Sequence, residues 1–258
     1  MQSIDRITTI LKSISILTEG VGITELHRSS NLPKSTLHRI LTGLMKHGYV
    51  MQNEDNKKYR LGPNFLILGA NYLYQNDLRK ITAPYLKKLG QELNETVFLT
   101  IFQNELAICI DTYEVSRNHV TYFVGQGRVM PFNCTAAAKV LLAYQKEKVI
   151  KKLVVPKNMV KNTEKSIIDP NLFIEHLKGI KEKGYSICKE EMEEGVMAIA
   201  APIWDIKSRV VGSVATVGPI NRIRSLEQDF VKNIKKTAFL ISCEMGYNPE
   251  KLKMYSIF

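Results

Sequence analysis

Two runs of apolar side chains within the first 48 residues have the spacing of an α-helix, and a shorter helical segment lies between them. This pattern restricts the folds that this part of the chain can adopt. The first run forms one stripe of an amphipathic helix: Ile4, Ile7, Leu11, Ile14 and Leu17. A second, short helix through residues 24–30 has Thr24 as its candidate N-cap and buries Leu26. Pro33 fits the first position of a third helix, and Gly48 is a natural stop for it. Helices this short, separated by tight turns, predict a helix-turn-helix.

The third helix carries hydrogen-bonding groups and cations on the face opposite its leucines: Lys34, Ser35, Thr36, His38, Arg39 and Thr42. In a helix-turn-helix the N-terminal half of this helix enters the major groove of DNA, where an arginine can bridge O6 and N7 of guanine. We therefore expect Arg39 to read a base. The alternative is that this face is merely solvated.

Two short strands follow Gly48, at residues 49–51 and 58–61, and the polar turn 53–57 joins them into a wing. The wing adds three candidate phosphate contacts: Lys57, Lys58 and Arg60. The whole region 28–60 has an excess of five positive charges, within a chain whose net charge is +11. A phosphate backbone attracts such a density of charge. The pattern predicts a winged helix-turn-helix that binds double-stranded DNA.

The length of 258 residues predicts more than one domain. We expect the winged helix-turn-helix at 1–61, a linker helix at 62–76 and a second domain at 77–258. The linker helix is mostly apolar, so it needs a partner surface. It can pack inside its own subunit or against its copy in a homodimer.

The second domain alternates strand and helix patterns with short polar turns, which favours hairpins and an antiparallel sheet. Strands are expected at 97–102, 106–113, 120–124, 199–206 and 210–218. Helices are expected at 78–93, 134–153, 170–184 and 225–246. The fold class is therefore α+β, with an antiparallel sheet flanked by helices in the C-terminal domain.

No pattern in the chain indicates catalysis, a metal or a cofactor. The four cysteines are far apart and form no Cys-x-x-Cys pair, which fits a reducing cytoplasm and encodes neither a zinc site nor a disulfide framework. Beyond the winged helix the only histidines are His119 and His176, and no motif pairs either with a cysteine. The acidic run 190–194 is interpreted as a solvated face. We also find neither a signal peptide pattern nor an apolar run long enough to span a membrane, so we expect a cytoplasmic protein that is not an enzyme.

Five segments, in order along the chain, resemble the successive signatures of the IclR family of bacterial regulators. They lie at 32–50, 59–62, 127–143, 184–205 and 210–219. The resemblance implies a GAF-like effector-binding domain joined by a linker helix to a dimerising winged helix, often assembled as a dimer of dimers on DNA. It also implies a small-molecule effector, commonly an organic, aromatic or sugar acid, and repression as the commoner outcome.

The resemblance also implies an effector pocket between the sheet and the loops of two motifs. Carried over by motif, its candidate residues are Met130, Phe132, Asn133, Cys188, Ala198, Ala215 and Val217. This chain departs from the family pattern where relatives carry polar groups: Asn133 replaces a common histidine, and Cys188 replaces a common acidic residue. Few groups remain to hydrogen-bond a carboxylate, which favours a more apolar or differently oriented effector. The alternative is that these residues only pack a core.

Two alternatives to a ligand-gated regulator remain as hypotheses for the function of the whole chain. A nucleoid-type protein that binds DNA without sequence preference explains the charge, but not the nearly 180 residues after the winged helix. A small-molecule enzyme on the C-terminal domain is the second alternative. The regulator accounts for both domains, with two winged helices in successive major grooves and half-sites about 34 Å apart.

Overall fold

A computed structural model describes residues 2–17, 19–75, 77–115 and 124–248. Contacts divide the chain after Asn76 into an N-terminal unit and a larger C-terminal unit. The α+β class and the antiparallel C-terminal sheet, both predicted from sequence, are confirmed. The predicted strand at 120–124 lies outside the described residues except for Val124, which is not in a strand.

The N-terminal unit contains four helices and a two-stranded hairpin within its described residues. These elements are α1 (Gln2–Ile16), α2 (Ile23–Ser30), α3 (Lys34–Lys46), β1 (Val50–Gln52), β2 (Tyr59–Leu61) and α4 (Asn64–Gln75). Strands β1 and β2 pair antiparallel, with Met51 opposite Arg60. Val21, in the turn before α2, also bridges to Tyr59 and so ties that turn to the wing.

The helix ends differ slightly from the predicted ones. Thr24 is not the N-cap of α2, because Gly22, two residues earlier, has that position and its amide donates to the carboxylate of Glu25 at 2.9 Å. Pro33 is the N-cap of α3 rather than its first helical residue. Gly48 does follow the end of α3, with φ of +67°, a conformation that glycine adopts without strain.

The C-terminal unit is built on a five-stranded antiparallel sheet in the order β4-β3-β7-β6-β5. Its strands are β3 (Thr96–Gln103), β4 (Leu106–Tyr113), β5 (Ser186–Lys189), β6 (Val196–Trp204) and β7 (Val210–Pro219). The edge strand β5 was not predicted from sequence. It is only four residues long, and Lys189 ends its apolar alternation, so it carries little strand signal.

Helices cover both faces of this sheet. They are α5 (Asp77–Leu93), α6 (Ala136–Ala143), α7 (Glu147–Leu153), α8 (Pro170–Lys183), α9 (Ile220–Ser225) and α10 (Glu227–Glu244). Helix α6 packs on one face, where it meets Phe98, Ala200 and Ala215. The alternate strand positions, such as Val97 and Ile199, face α5 and α10.

One predicted helix is divided in the structure, and another begins two residues later than predicted. The segment expected as one helix at 134–153 forms α6 and α7, because every residue of α6 is buried whereas none of α7 is, so the chain turns between the two environments. At the turn, Tyr144 packs edge-on against Trp204. The last predicted helix begins at Glu227, since Leu226 leaves helical geometry with φ of −126°.

Among the described glycines of the N-terminal unit, Gly62 leaves the least room for a side chain. A Cβ atom there would lie well inside van der Waals contact with the carbonyl oxygen of Gly48, and backbone cannot yield as a flexible side chain can. We expect Gly62→Ala to lower the free energy of unfolding by about 1–3 kcal/mol, the usual effect of overpacking. Gly43→Ala is the matched control, because nothing lies within 4 Å of its added methyl group and helical alanine is favoured over glycine.

Urea unfolding of the full chain, with hydrogen exchange of peptides from the wing, measures both variants. Equal stability of Gly62→Ala and the wild type would mean that the wing and α3 do not approach as closely as described.

Candidate DNA-binding surface and effector cavity

A small apolar core fixes α3 within the N-terminal unit. Its buried members come from the helices, the strands and the turn before α2: Ile10, Ile14, Val21, Leu26, Leu37, Leu41, Val50 and Tyr59. Leu37 and Leu41 lie one turn apart on α3 and are fully buried. Because residues four apart share one side of a helix, the opposite side of α3 faces solvent.

The predicted DNA-binding residues of α3 lie on that solvent side. Five are exposed, namely Lys34, Ser35, His38, Arg39 and Thr42, and Thr36 is half-buried. Together they present cations, hydroxyl groups and an imidazole, which can donate to phosphate oxygens and base edges. Arg39 stands in the first half of α3, the half that enters the groove in this class of motif.

The wing has a tip that its own side chains hold in place. The Asn53 side-chain oxygen accepts from the amides of Asp55 and Asn56 at 2.9 and 3.2 Å. Lys57 is exposed with φ of +54°, and Lys58 is half-buried. Lys57 and Lys58 therefore lie where the turn of the wing leads into β2.

Arg60, the third predicted wing contact, is engaged inside the N-terminal unit. Its guanidinium lies 3.6 Å from the carboxylate of Glu19 and 3.4 Å from the carbonyl oxygen of the same residue. Its side chain also covers Gly20, where an added Cβ would come within 2.9 Å of Arg60 Cγ. The structure thus places Arg60 against the turn between α1 and α2, whereas the side chain of Lys57 is exposed to solvent.

A second candidate site is a cavity of about 40 Å³ in the C-terminal unit, between the sheet, the start of α6 and the loop after β5. It is lined by Phe98, Val124, Met130, Cys134, Thr135, Ala136, Cys188, Met192, Glu193, Val196, Ala198 and Val217. Four of the predicted effector residues are among them: Met130, Cys188, Ala198 and Val217. Cys134, Thr135 and Ala136 were missed although they belong to the same family-like motif as Met130.

The other three predicted effector residues lie outside the cavity wall. Asn133 is fully buried, where its side-chain amide donates to the carbonyl oxygens of Val160 and Ile167 at 2.7 and 2.9 Å. Its side-chain oxygen accepts from the amide of Val160, so it holds a loop in place. Phe132 packs against Phe102, and Ala215 is enclosed in the core beneath α6.

The thiol and hydroxyl groups of the cavity wall are already hydrogen-bonded. The thiol of Cys188 donates to the carbonyl oxygen of Cys134 at 2.8 Å, and the hydroxyl of Thr135 donates to the carbonyl oxygen of Pro131 at 2.8 Å. Burial raises the pKa of Cys188 to about 12, so this thiol is protonated and unreactive. Among the described lining residues, Glu193 is the only charged one.

Backbone amides offer the remaining donors. The first backbone hydrogen bond of α6 runs from Lys139 to Thr135, so the amides before it lie outside the helical pattern. Thr135 is the N-cap but makes no side-chain capping bond. Since Ala136 lines the cavity, the positive end of α6 faces this space.

A buried ion pair lies next to this wall. Lys139 is fully buried and its ammonium group donates to the carboxylate of Glu191, which is 7% exposed. The same ammonium group lies 3.4 Å from Nε2 of His176. Burial raises the pKa of Glu191 and the charge of Lys139 opposes that rise. The interpretation of the acidic run as a solvated face is therefore wrong for Glu191.

Family models match both units. The model described as IclR helix-turn-helix domain covers residues 3–54, and the model described as bacterial transcriptional regulator IclR C-terminal covers residues 70–243. The chain belongs to the IclR family of bacterial transcriptional regulators. The family prediction made from the five motifs is confirmed, and with it a DNA-binding regulator whose C-terminal domain binds an effector.

Individual IclR relatives align over nearly the whole chain. The Escherichia coli regulator XynR is 28% identical over 96% of this chain and 98% of its own length. The Escherichia coli transcriptional repressor IclR is 30% identical over 86% of this chain and 82% of its own. An IclR homologue from Microbacterium hydrocarbonoxydans, solved with 4-hydroxybenzoate, has the same fold, with a TM-score of 0.77 at 19% identity over 93% and 97% of the two chains.

These relatives are named as transcriptional regulators, not as enzymes. Within the described part of the chain, no three or more His, Cys, Asp or Glu residues group closely enough to hold a metal ion. No helix there is long and apolar enough to cross a membrane. His119 lies outside the described residues, and the bonded partner of His176 in this IclR chain is Lys139 rather than a cysteine.

The buried pair gives a stability prediction. Glu191→Gln leaves the ammonium group of Lys139 buried without a counter-charge, so we expect the free energy of unfolding to fall by about 3–5 kcal/mol. Lys139→Met should cost less, because the raised pKa of Glu191 lets the abandoned carboxyl group take up a proton. The control Glu175→Gln breaks the exposed pair with Lys178 and should leave stability unchanged.

Urea unfolding of the four proteins at pH 7 tests this order. A Glu191→Gln variant as stable as the Glu175→Gln control would contradict the buried pair.

Proposed function

We propose that this IclR-family chain is a repressor that binds operator DNA as a homodimer. Its affinity for that DNA changes when a small molecule fills the cavity of its C-terminal unit. The main support for DNA binding is the exposed face of α3, which lies opposite the apolar core of the N-terminal unit. This face presents Lys34, Ser35, Arg39 and Thr42. The repressor outcome is supported by the names of relatives such as the Escherichia coli transcriptional repressor IclR.

Helix α4 supports the homodimer. Leu66, Ile67 and Leu68 are 77%, 55% and 51% exposed, an unusual set of apolar side chains on one short stretch of helix. Consecutive side chains point to different sides of a helix, so a second copy of the same helix would cover part of this set. An isologous pair would present two α3 helices to one DNA duplex. A dimer of such dimers is compatible with the same surface.

The same helix supplies a route for the effector signal. Helix α4 ends at Gln75 and α5 begins at Asp77, so a single residue of chain separates the last helix of the N-terminal unit from the first helix of the C-terminal unit. A ligand shifts DNA binding only by its differential affinity for the competent and incompetent arrangements, typically about 1–3 kcal/mol of coupling.

The cavity wall favours an effector with a mostly apolar body and one acceptor oxygen. No Lys, Arg or His is among the described lining residues, and burying a carboxylate without donors is costly. One oxygen can instead be placed against the amides at the start of α6. A ring needs more room than 40 Å³, since a cavity of about 150 Å³ holds benzene. The flexible side chains of Met130 and Met192 can move to provide it.

Operator binding is tested with a duplex selected from random sequence by the purified protein and with a scrambled duplex. We expect Arg39→Ala to lose about 1–3 kcal/mol of discrimination between the two, since a bidentate base contact is worth that much. Lys57→Ala should weaken both duplexes alike and reduce the salt dependence by about one phosphate contact. Equal losses on both duplexes for Arg39→Ala would remove the base-reading assignment.

Effector binding is tested by a thermal-shift screen of small acids, aromatic acids including 4-hydroxybenzoate, neutral aromatic alcohols and sugars. We expect a compound that raises the melting temperature to alter operator affinity. Ala198→Leu fills the cavity and should abolish both responses while operator binding stays intact, whereas Val217→Ala enlarges the cavity and should retain them. A compound that acts equally on Ala198→Leu binds elsewhere, and the cavity would not be the effector site.

A further inference from the structure

An open groove runs along the outer edge of β5, separate from the apolar cavity. It has a volume of about 530 Å³ between α8, β5 and the start of α10. Its polar lining comprises His176, Lys183, Tyr185, Lys189, Glu191 and Glu227. A second hollow of about 400 Å³ shares Tyr185 and Glu227 with it and adds Lys232 and Lys235. Together they form one groove, here called the β5 groove.

The two carboxylates of the β5 groove are neutralised by lysines. Glu191 accepts from the buried ammonium group of Lys139, and Glu227 lies 2.8 Å from the ammonium group of Lys189. Among the described residues, no carboxylate lies within ion-pair distance of Lys183. Lys235 is likewise without a carboxylate, and it stands 5.6 Å from the ring centre of Tyr185. The β5 groove therefore carries an uncompensated positive charge.

The floor of the groove is built from buried polar groups. Lys139 is fully buried directly behind two lining residues, with its ammonium group bonded to Glu191 and 3.4 Å from Nε2 of His176. Burial, together with the charges of Lys139 and Lys183, lowers the pKa of His176 to about 4. His176 is thus neutral at pH 7 in a field of positive charge, which an anion would relieve.

We propose that the β5 groove binds a small phosphate-bearing metabolite, with the uncompensated ammonium groups of Lys183 and Lys235 holding the phosphate group beside His176. Charge-assisted hydrogen bonds from ammonium groups are the strong contacts in phosphate sites. The floor residue Glu191 belongs to the loop whose next two residues, Met192 and Glu193, wall the apolar cavity. A ligand in the β5 groove and a ligand in the apolar cavity would therefore contact the same loop.

The test uses inorganic phosphate and the full chain labelled with 13C at histidine Cε1, with the His176 signal assigned through His176→Gln. Chloride is replaced by phosphate at constant ionic strength and pH 7. We expect a saturable shift of the His176 signal and a rise in its pKa from about 4, because a bound dianion stabilises the imidazolium form. No saturable shift would overturn the proposal.

Variants of two lysines in α8 distinguish a specific phosphate site from a general effect of net charge. Lys183→Ala removes a groove cation and should weaken phosphate binding about tenfold, the loss of one charge-assisted hydrogen bond. Lys181→Ala removes the same charge from an exposed position of α8 outside the groove lining and should change the affinity less than twofold. Equal losses in both variants would mean that phosphate senses only the net charge.

A short duplex DNA distinguishes a metabolite site from a second nucleic-acid surface. At the same phosphate concentration, the duplex should shift His176 less than inorganic phosphate does, since the imidazole lies at the floor of the groove. A larger response to the duplex would overturn the assignment to a small molecule. The His176 signal of each variant without phosphate reports whether the groove is intact.

Discussion

The C-terminal unit depends on one interaction, the ion pair that Lys139 and Glu191 make inside the protein. An ammonium group without a counter-charge could not be placed at the centre of a fully buried helix, so the fold must bring a carboxylate to it. Glu191 comes from the loop after β5, far from α6 in sequence. The pair therefore fixes a loop against a helix, and the loop forms part of both the apolar cavity and the β5 groove.

A second set of bonds supports the same loop from the other side. The hydroxyl of Ser166 donates to the carbonyl oxygen of Glu191 at 2.7 Å, and that of Thr163 donates to the carbonyl oxygen of Glu190 at 2.6 Å. The segment that carries these hydroxyls is held in turn by Asn133. Thus a residue next to the cavity positions its wall through an intervening loop, although it does not line the cavity itself.

The sequence patterns predicted those elements of the fold that depend on residues close together in the chain. Apolar spacing placed α1 to α3, alternation placed the long strands, and the left-handed conformation at Gly48 followed from its lack of a Cβ. What the sequence could not disclose depends on distant partners. The carboxylates of Glu191 and Glu194 look alike in the acidic run, and only the approach of α6 decides that one of them is buried. Arg60 resembles Lys57 as a wing cation until the turn at Glu19 is placed beside it.

The segment from β5 to its following loop is where the two hollows meet. Cys188, Met192 and Glu193 line the apolar cavity, whereas Lys189 and Glu191 line the β5 groove. Within β5, Cys188 and Lys189 face opposite ways because side chains alternate along a strand. The chain then turns at Glu190, whose φ is +59°, and beyond it Glu191 faces the groove whereas Met192 and Glu193 face the cavity. Because Met192 directly follows Glu191, we expect a ligand that moves Met192 to disturb the bond between Glu191 and Lys139, and an anion in the β5 groove to disturb the wall of the cavity. By linkage, either ligand alters the affinity for the other by the same factor.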